Sequence, residues 1–225
     1  MQHHCLDRGD PDEVDGAVSF EGQRVSYDEA SDRMRCIYTP KLLFQSSSEL
    51  RNYGFWGFTT GSEFPELSPA DAAQLDAGAV HALVDVRPIS IPGVGEQLGL
   101  FATAPIAGDT LIGEYTGVVQ VDRGDGFDSY GLAYPSVFED GNMVVSANEY
   151  GNIIRCVNHS FRHFNCRLAS VLHRGFLHIV CRTLEPIAPG TQLLVNYGPS
   201  YWKEAGVTPF EWFADAADSQ NYATT

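Results

Sequence analysis

Residues 151–166 read Gly151-Asn152-Ile153-Ile154-Arg155-Cys156-Val157-Asn158-His159-Ser160-Phe161-Arg162-His163-Phe164-Asn165-Cys166. A Gly-Asn turn opens the stretch and a short apolar run follows; the Asn158-His159-Ser160 triplet then leads to a second polar stop at Asn165-Cys166. Downstream lies Gln192-Leu193-Leu194-Val195-Asn196-Tyr197-Gly198. Upstream lie Gly99-Leu100-Phe101-Ala102 and Gly113-Glu114-Tyr115-Thr116-Gly117. A single Asn-His-Ser triplet is a weak signal, but four ordered blocks across roughly a hundred residues are a strong one.

Composition bounds what such a chain can be. The 225 residues suit one domain with decorations, and 44% apolar content with 12% aromatics is enough to bury a core. The formal charge is −15, from 29 acidic against 14 basic residues, with lysine only at Lys41 and Lys203. Such a field disfavours nucleic acid and anionic lipid and favours a basic partner; by itself it is more often the mark of a solvated acidic surface. No apolar run is long enough to span a membrane, and the N-terminus lacks a secretory pattern. The five cysteines (Cys5, Cys36, Cys156, Cys166 and Cys181) contain no Cys-x-x-Cys pair. That argues for a reducing, intracellular compartment and against a disulfide framework or a structural zinc site. His173 and His178 near Cys181 read as strand residues, so no metal is expected.

Residues 1–35 read as acidic and irregular, with the first fifteen or so a mobile tail. Tyr53-Gly54-Phe55-Trp56-Gly57-Phe58 reads as buried rather than catalytic. Ser68-Pro69-Ala70-Asp71 predicts a helix start, running to Leu75 or unevenly to Val84 across Gly78. From Val84 onward short strands are predicted at 98–102, 110–115, 118–121, 143–146, 166–172, 176–182 and 193–196, with His173-Arg174-Gly175 a hairpin turn. The chain therefore divides into an acidic tail and flank (1–87), a β-rich core (88–200) and a C-terminal segment (201–225).

In order and spacing the four blocks resemble the SET domain, the fold of most protein lysine methyltransferases. The resemblance covers roughly residues 88–202. It implies a mainly β fold with minor α, built of several small curved sheets with a pseudo-knot, and a short C-terminal helical segment. Three positions depart from the common pattern: Gln97-Leu98-Gly99 replaces Gly-x-Gly, with Gly93 and Gly95 displaced upstream; Ser146 stands where many relatives have Asp; and Phe164 replaces a proline. Beyond Cys181 there is no cysteine, so the chain resembles the subclass without zinc-binding clusters around the core.

The resemblance implies S-adenosylmethionine-dependent methyl transfer to a protein lysine. A lysine with a pKa near 10.4 costs about 4–5 kcal/mol to deprotonate at pH 7, so such a site must present a neutral amine and align it. No metal or covalent nucleophile is needed, and no convincing nucleophile triad is present. Tyr197 matches the tyrosine placed beside the sulfonium and the target nitrogen, and Tyr115 matches one that lines the lysine channel. Leu98, Gly99, Asn158 and His159 match cofactor-holding positions. Trp212, in Pro209-Phe210-Glu211-Trp212-Phe213, would stack near the adenine. Val195, Leu168 and Trp202 would wall the substrate channel; Arg155 and Ser160 would support the loop. The implied substrate is a basic, lysine-containing protein such as a histone tail, in the cytoplasm or nucleus, with a host-directed effector as a further reading. The alternatives are a degenerate module that binds a partner protein without catalysis, and an enzyme for a non-histone target such as a ribosomal protein.

Overall fold

Turn chemistry and alternating apolar residues cut the chain into short strands, none longer than eight residues among those described. The computed structural model describes residues 4–6, 16–50, 64–65, 67–91, 95–124, 126–135 and 143–206. Tyr53–Phe58 and Trp212 lie outside them.

Among the described residues the strands form five small sheets. His4–Cys5, Leu43–Phe44, Val118–Val121, Met143–Ser146 and Gly131–Tyr134 lie side by side in that order. A second sheet runs Gln23–Ser26, Ala17–Phe20, Val84–Ile91, Gly95–Ala102. The Cys166–His173 and Phe176–Thr183 hairpin adds Leu111–Glu114. Two pairs complete the set: Tyr150–Gly151 on Ile37–Tyr38, and Asn158–His159 parallel to Leu194–Val195. The hairpin turn falls at Arg174 and Gly175, both at positive φ as a tight two-residue turn requires. With few helices, and with the Gly198–Ala205 helix at its C-terminal end, the architecture is the mainly β one expected.

The predicted helix forms over Pro69–Ala77, with Ser68 Oγ accepting from Asp71 N–H at 3.1 Å. It stops at a left-handed Gly78 and buries one residue, Leu75. What fixes it to the core is polar. Asp71 pairs with Arg182, and Asp76 holds His173 at 2.9 Å and Arg174 at 2.6 Å, so the helix lies against the hairpin. Ser68→Ala is expected to cost about 1 kcal/mol in denaturant unfolding. An effect near zero would mean that these tertiary pairs alone hold the helix start.

The N-terminal region differs from the irregular segment expected. Residues 17–26 form a hairpin through Glu21 and Gly22, both at positive φ, with Val18, Phe20 and Val25 buried. Ser26 then caps the Tyr27–Met34 helix by accepting from Glu29 N–H at 3.1 Å. Ser26-Tyr27-Asp28-Glu29 carries the pattern of a capping box, and the acidic residues that suggested disorder are this helix's favourable first turn. Within the expected tail, Cys5 is buried and His4–Cys5 pairs with Leu43–Phe44; residues 1–3 and 7–15 lie outside the described residues. A boundary at residue 87 would fall inside the Val84–Ile91 strand, which joins the N-terminal hairpin to Gly95–Ala102. One hydrophobic cluster accordingly runs from Cys5 to Val195, with a smaller one of Leu75, Leu111, Val171 and Val180 under the Pro69–Ala77 helix.

Candidate functional site

Backbone pairing gathers the four blocks. Leu193 N–H donates to Leu100 C=O at 2.8 Å and Ala102 N–H to Thr191 C=O at 2.9 Å, which ties the first block to the last. Asn158 Nδ2 donates to Leu98 C=O at 2.9 Å, and Asn152 Nδ2 to Glu114 C=O at 2.8 Å. The 192–195 segment is held from both sides. Asn158–His159 pairs with Leu194–Val195, while Asn165 donates through its backbone N–H to Leu194 C=O (3.1 Å) and through Nδ2 to Gln192 C=O (2.8 Å), and accepts from Leu194 N–H on Oδ1 (2.9 Å). This crossing of segments far apart in sequence is the threaded arrangement expected, one of the rare exceptions to unthreaded topology.

Two glycines permit the close packing. A Cβ on Gly117 would lie 2.2 Å from Ser146 O, a backbone atom that cannot step aside. A Cβ on Gly99 would meet Gln192 Nε2 at 2.8 Å.

Tyr115 and Tyr197 are anchored alike. The Tyr115 hydroxyl donates to Tyr130 C=O at 2.7 Å and the Tyr197 hydroxyl to Val157 C=O at 2.8 Å. Tyr197 N–H also donates to His159 Nδ1 at 3.0 Å, so the buried imidazole orients the residue that follows the last strand. Burial pushes both phenols well above their ordinary pKa, and each raises its side further through a neighbouring phenol, Tyr197 for Tyr115 and Tyr201 for Tyr197. Both remain neutral at physiological pH. With each proton committed to a carbonyl, what each hydroxyl offers a ligand is its oxygen lone pairs.

Both tyrosines line one cleft of about 770 Å³, together with Leu168, Val195 and Val157. Its remaining walls include residues that sequence reasoning did not single out: Tyr130, Tyr201 and Asp128. Asp128 Oδ1 accepts from Tyr130 N–H at 2.9 Å, and Oδ2 accepts from Ser146 Oγ at 2.5 Å. Thus Ser146, one of the three departures, holds the carboxylate that shapes the turn carrying the Tyr115 anchor. The Arg155 guanidinium lies 3.7 Å from the centre of the Tyr130 ring, and Arg155 Nη1 donates to Met34 C=O at 3.0 Å. An Asp-Ser-Tyr-Gly string is a recognisable turn pattern, but nothing local in it shows that the turn faces a distant tyrosine.

Leu98, Gly99, Asn158 and His159 do not line that cleft; Asn158 meets Leu98 at the crossing, Gly99 packs on Gln192, and His159 lies against Phe161, Tyr197 and Trp202. Trp202, on the Gly198–Ala205 helix, is also absent from the cleft walls. Its ring lies 4.9 Å from His159 and 6.1 Å from Tyr197, nearly parallel to the latter. From the same helix Tyr201 and Glu204 reach the cleft. Ser160 Oγ accepts from His163 N–H at 2.8 Å and closes the loop after the crossing. All five cysteines are buried thiols, and among the described residues no three His, Cys, Asp or Glu side chains are grouped to hold a metal. No helix among them is long and apolar enough to cross a membrane.

A family model described as the SET domain matches residues 97–198. The chain is 30% identical over 105 residues to histone-lysine N-methyltransferase SETD1 of Drosophila melanogaster, a stretch that is 44% of this chain and 6% of that protein. Two crystal structures of ATXR5 bound to histone H3 peptides share the fold. One, with histone H3.1, has a TM-score of 0.57 at 21% identity, covering 77% of this chain and 86% of that one. The other, of the SET domain with histone H3, has a TM-score of 0.59 at 18% identity, covering 77% and 85%. The four blocks, the crossing that joins them and the matched model agree: residues 97–198 of this chain form a SET domain.

Proposed function

We propose that the protein is an S-adenosylmethionine-dependent protein lysine N-methyltransferase acting on a basic protein segment. The observation that carries this reading is the pair of anchored phenols, Tyr115 and Tyr197, in the walls of one cleft beside the Asn158–His159 crossing.

The residues fit the cofactor. Main chain at Gly95, Glu96 and Gln97 is exposed, Leu98 and Asn158 are half-buried and joined, and the Phe161 ring stands exposed 4.2 Å from His159. Trp202 Nε1–H, buried beside His159, has no hydrogen-bond partner among the described residues and is a donor in reserve. Leu98, Gly99, Asn158 and His159 would hold the cofactor, with Trp212 a further candidate for its adenine. When bound, the cofactor supplies an electrophilic methyl group. The protein's part is alignment. Lone pairs on the Tyr197 and Tyr115 oxygens accept from the substrate N–H bonds and aim the nitrogen, while Leu168, Val195 and Val157 exclude water from the side-chain stem. The neutral phenols are not general bases, so the lysine proton leaves to solvent before transfer.

The substrate class follows from charge. Asp122, Asp128 and Glu204 line the cleft against Arg123 and Arg155, the latter already stacked on Tyr130, on a chain of net charge −15. A Lys/Arg-rich segment is steered to such a surface, with a histone tail the leading example given the relative that carries that activity in its name. The substrate sets the compartment: nuclear for chromatin, cytoplasmic for a ribosomal protein.

The test is transfer of labelled methyl from S-adenosylmethionine to core histones and to a cell lysate. Label on a lysine supports the reading; no label on any protein, with no cofactor bound, sinks it. Asn158→Ala is expected to weaken cofactor binding about tenfold, the scale of one or two lost hydrogen bonds. Calorimetry showing an unchanged affinity would remove Asn158 from the cofactor site.

A further inference from the structure

A second cavity, of about 310 Å³, lies between the N-terminal hairpin and the 79–84 segment, away from the cleft. Its polar lining is Arg24, Tyr27, Tyr38 and His81, with Ser19, whose hydroxyl is given to Asp85. The Tyr27 and Tyr38 rings stack with centroids 4.0 Å apart and 16° between planes, which sets the two hydroxyls side by side. The Tyr38 hydroxyl is buried beside that of Tyr27, and among the described residues it has no other hydrogen-bond partner. His81 Nδ1 accepts from Leu83 N–H at 3.2 Å, which leaves Nε2 as the side that carries the ring proton. In a chain with 29 acidic residues, none of the described residues that line this cavity is acidic. The nearest buried carboxylate, Asp85 beside Val84, is engaged by Ser19 Oγ, Gly22 N–H and Arg87 Nε. The other walls are apolar, among them Val18, Val80, Val84 and Ile153.

We propose that this cavity binds a small organic monocarboxylate, with its carboxylate on Arg24 and the paired Tyr27 and Tyr38 hydroxyls and its apolar body against Val80, Val84 and Ile153. At about 30 Å³ per atom the space suits roughly ten non-hydrogen atoms. One guanidinium matches one negative charge, and its planar fork matches a carboxylate. Burial supports the match: it raises both phenols, which stay protonated donors, and lowers His81, which stays neutral, so the site carries a single positive charge. A dianion such as phosphate would be left half-compensated. Ile153 also opens the 153–156 turn that leads to Val157, so an occupant rests on the element carrying the Tyr197 anchor.

Calorimetric titration of the full chain with benzoate and hexanoate tests this, with benzamide and inorganic phosphate alongside. Saturable binding of at least one carboxylate is expected, stronger than that of benzamide or phosphate. Arg24→Gln, at an exposed position, and Tyr38→Phe, which removes one oxygen, should each weaken it about tenfold. No saturable binding by either carboxylate, unchanged affinity in both variants, or tighter binding of phosphate would overturn the proposal. Methyl transfer plays no part in the readout, so the outcome stands apart from that of the catalytic site.

Discussion

Replacing Tyr197 by phenylalanine is expected to lower kcat for methyl transfer by about 10²–10³-fold while cofactor affinity stays within about twofold. The substitution removes one oxygen. The ring remains against His159, 5.2 Å between centroids, and the backbone N–H still reaches His159 Nδ1, so the last strand keeps its attachment. What is lost is a hydroxyl held in place by Val157 C=O at 2.8 Å, whose lone pairs, in the proposed reading, would aim the substrate nitrogen. Such an oxygen matters most when the nitrogen acquires positive charge, so the loss falls on turnover rather than on binding. The expected scale equals about 3–4 kcal/mol in the barrier. Single-turnover kinetics and cofactor titration on the same preparation make the separation. Normal turnover would deny Tyr197 the central role, and a collapse of cofactor affinity would reassign it to structure.

His178→Ala carries the largest expected loss of stability, about 3–5 kcal/mol. His178 Nδ1 lies 2.5 Å from Glu114 Oε1, and the side chains are 2% and 5% exposed. The pair bridges the Phe176–Thr183 and Leu111–Glu114 strands next to Tyr115. Removing the imidazole leaves the buried Glu114 carboxyl group, near Tyr134, without the partner that compensates its burial. Urea unfolding of the wild type and His178→Ala measures the cost. The double variant Glu114→Met, His178→Leu should recover most of it, because an apolar pair needs no compensation. A loss below about 1 kcal/mol in the single variant would mean that solvent reaches Glu114 and that the pair is not sealed.

Local chemistry made much of the fold legible. The Ser68-Pro69-Ala70-Asp71 start is a capping arrangement within four residues, and it forms as read. Val118–Val121 and Met143–Ser146 appear with the predicted bounds, since their alternation and flanking turns are short-range features. The same kind of signal was present at Glu21-Gly22 and Ser26-Tyr27-Asp28-Glu29 but was masked by the acidic composition around it. Strand and cap signals there outweigh charge, because Val18, Phe20 and Val25 bury against strands some sixty residues away.

By itself the sequence determined the elements and the SET domain of residues 97–198: four ordered blocks, the strands and caps they contain, and the aromatic residues Tyr115 and Tyr197 within them. Tertiary structure alone decided what those residues face. Tyr130, Asp128 and Tyr201 enter the cleft because the 128–131 turn and the Gly198–Ala205 helix are carried there by separate elements, and Trp202 lies on His159 through its position on that helix. The N-terminal cavity exists because Arg24, Tyr38 and His81 converge from a hairpin, a two-residue strand and a loop. Caps and alternation depend on neighbours a few residues apart, whereas a site depends on pairings closed across dozens of residues, which no local pattern encodes.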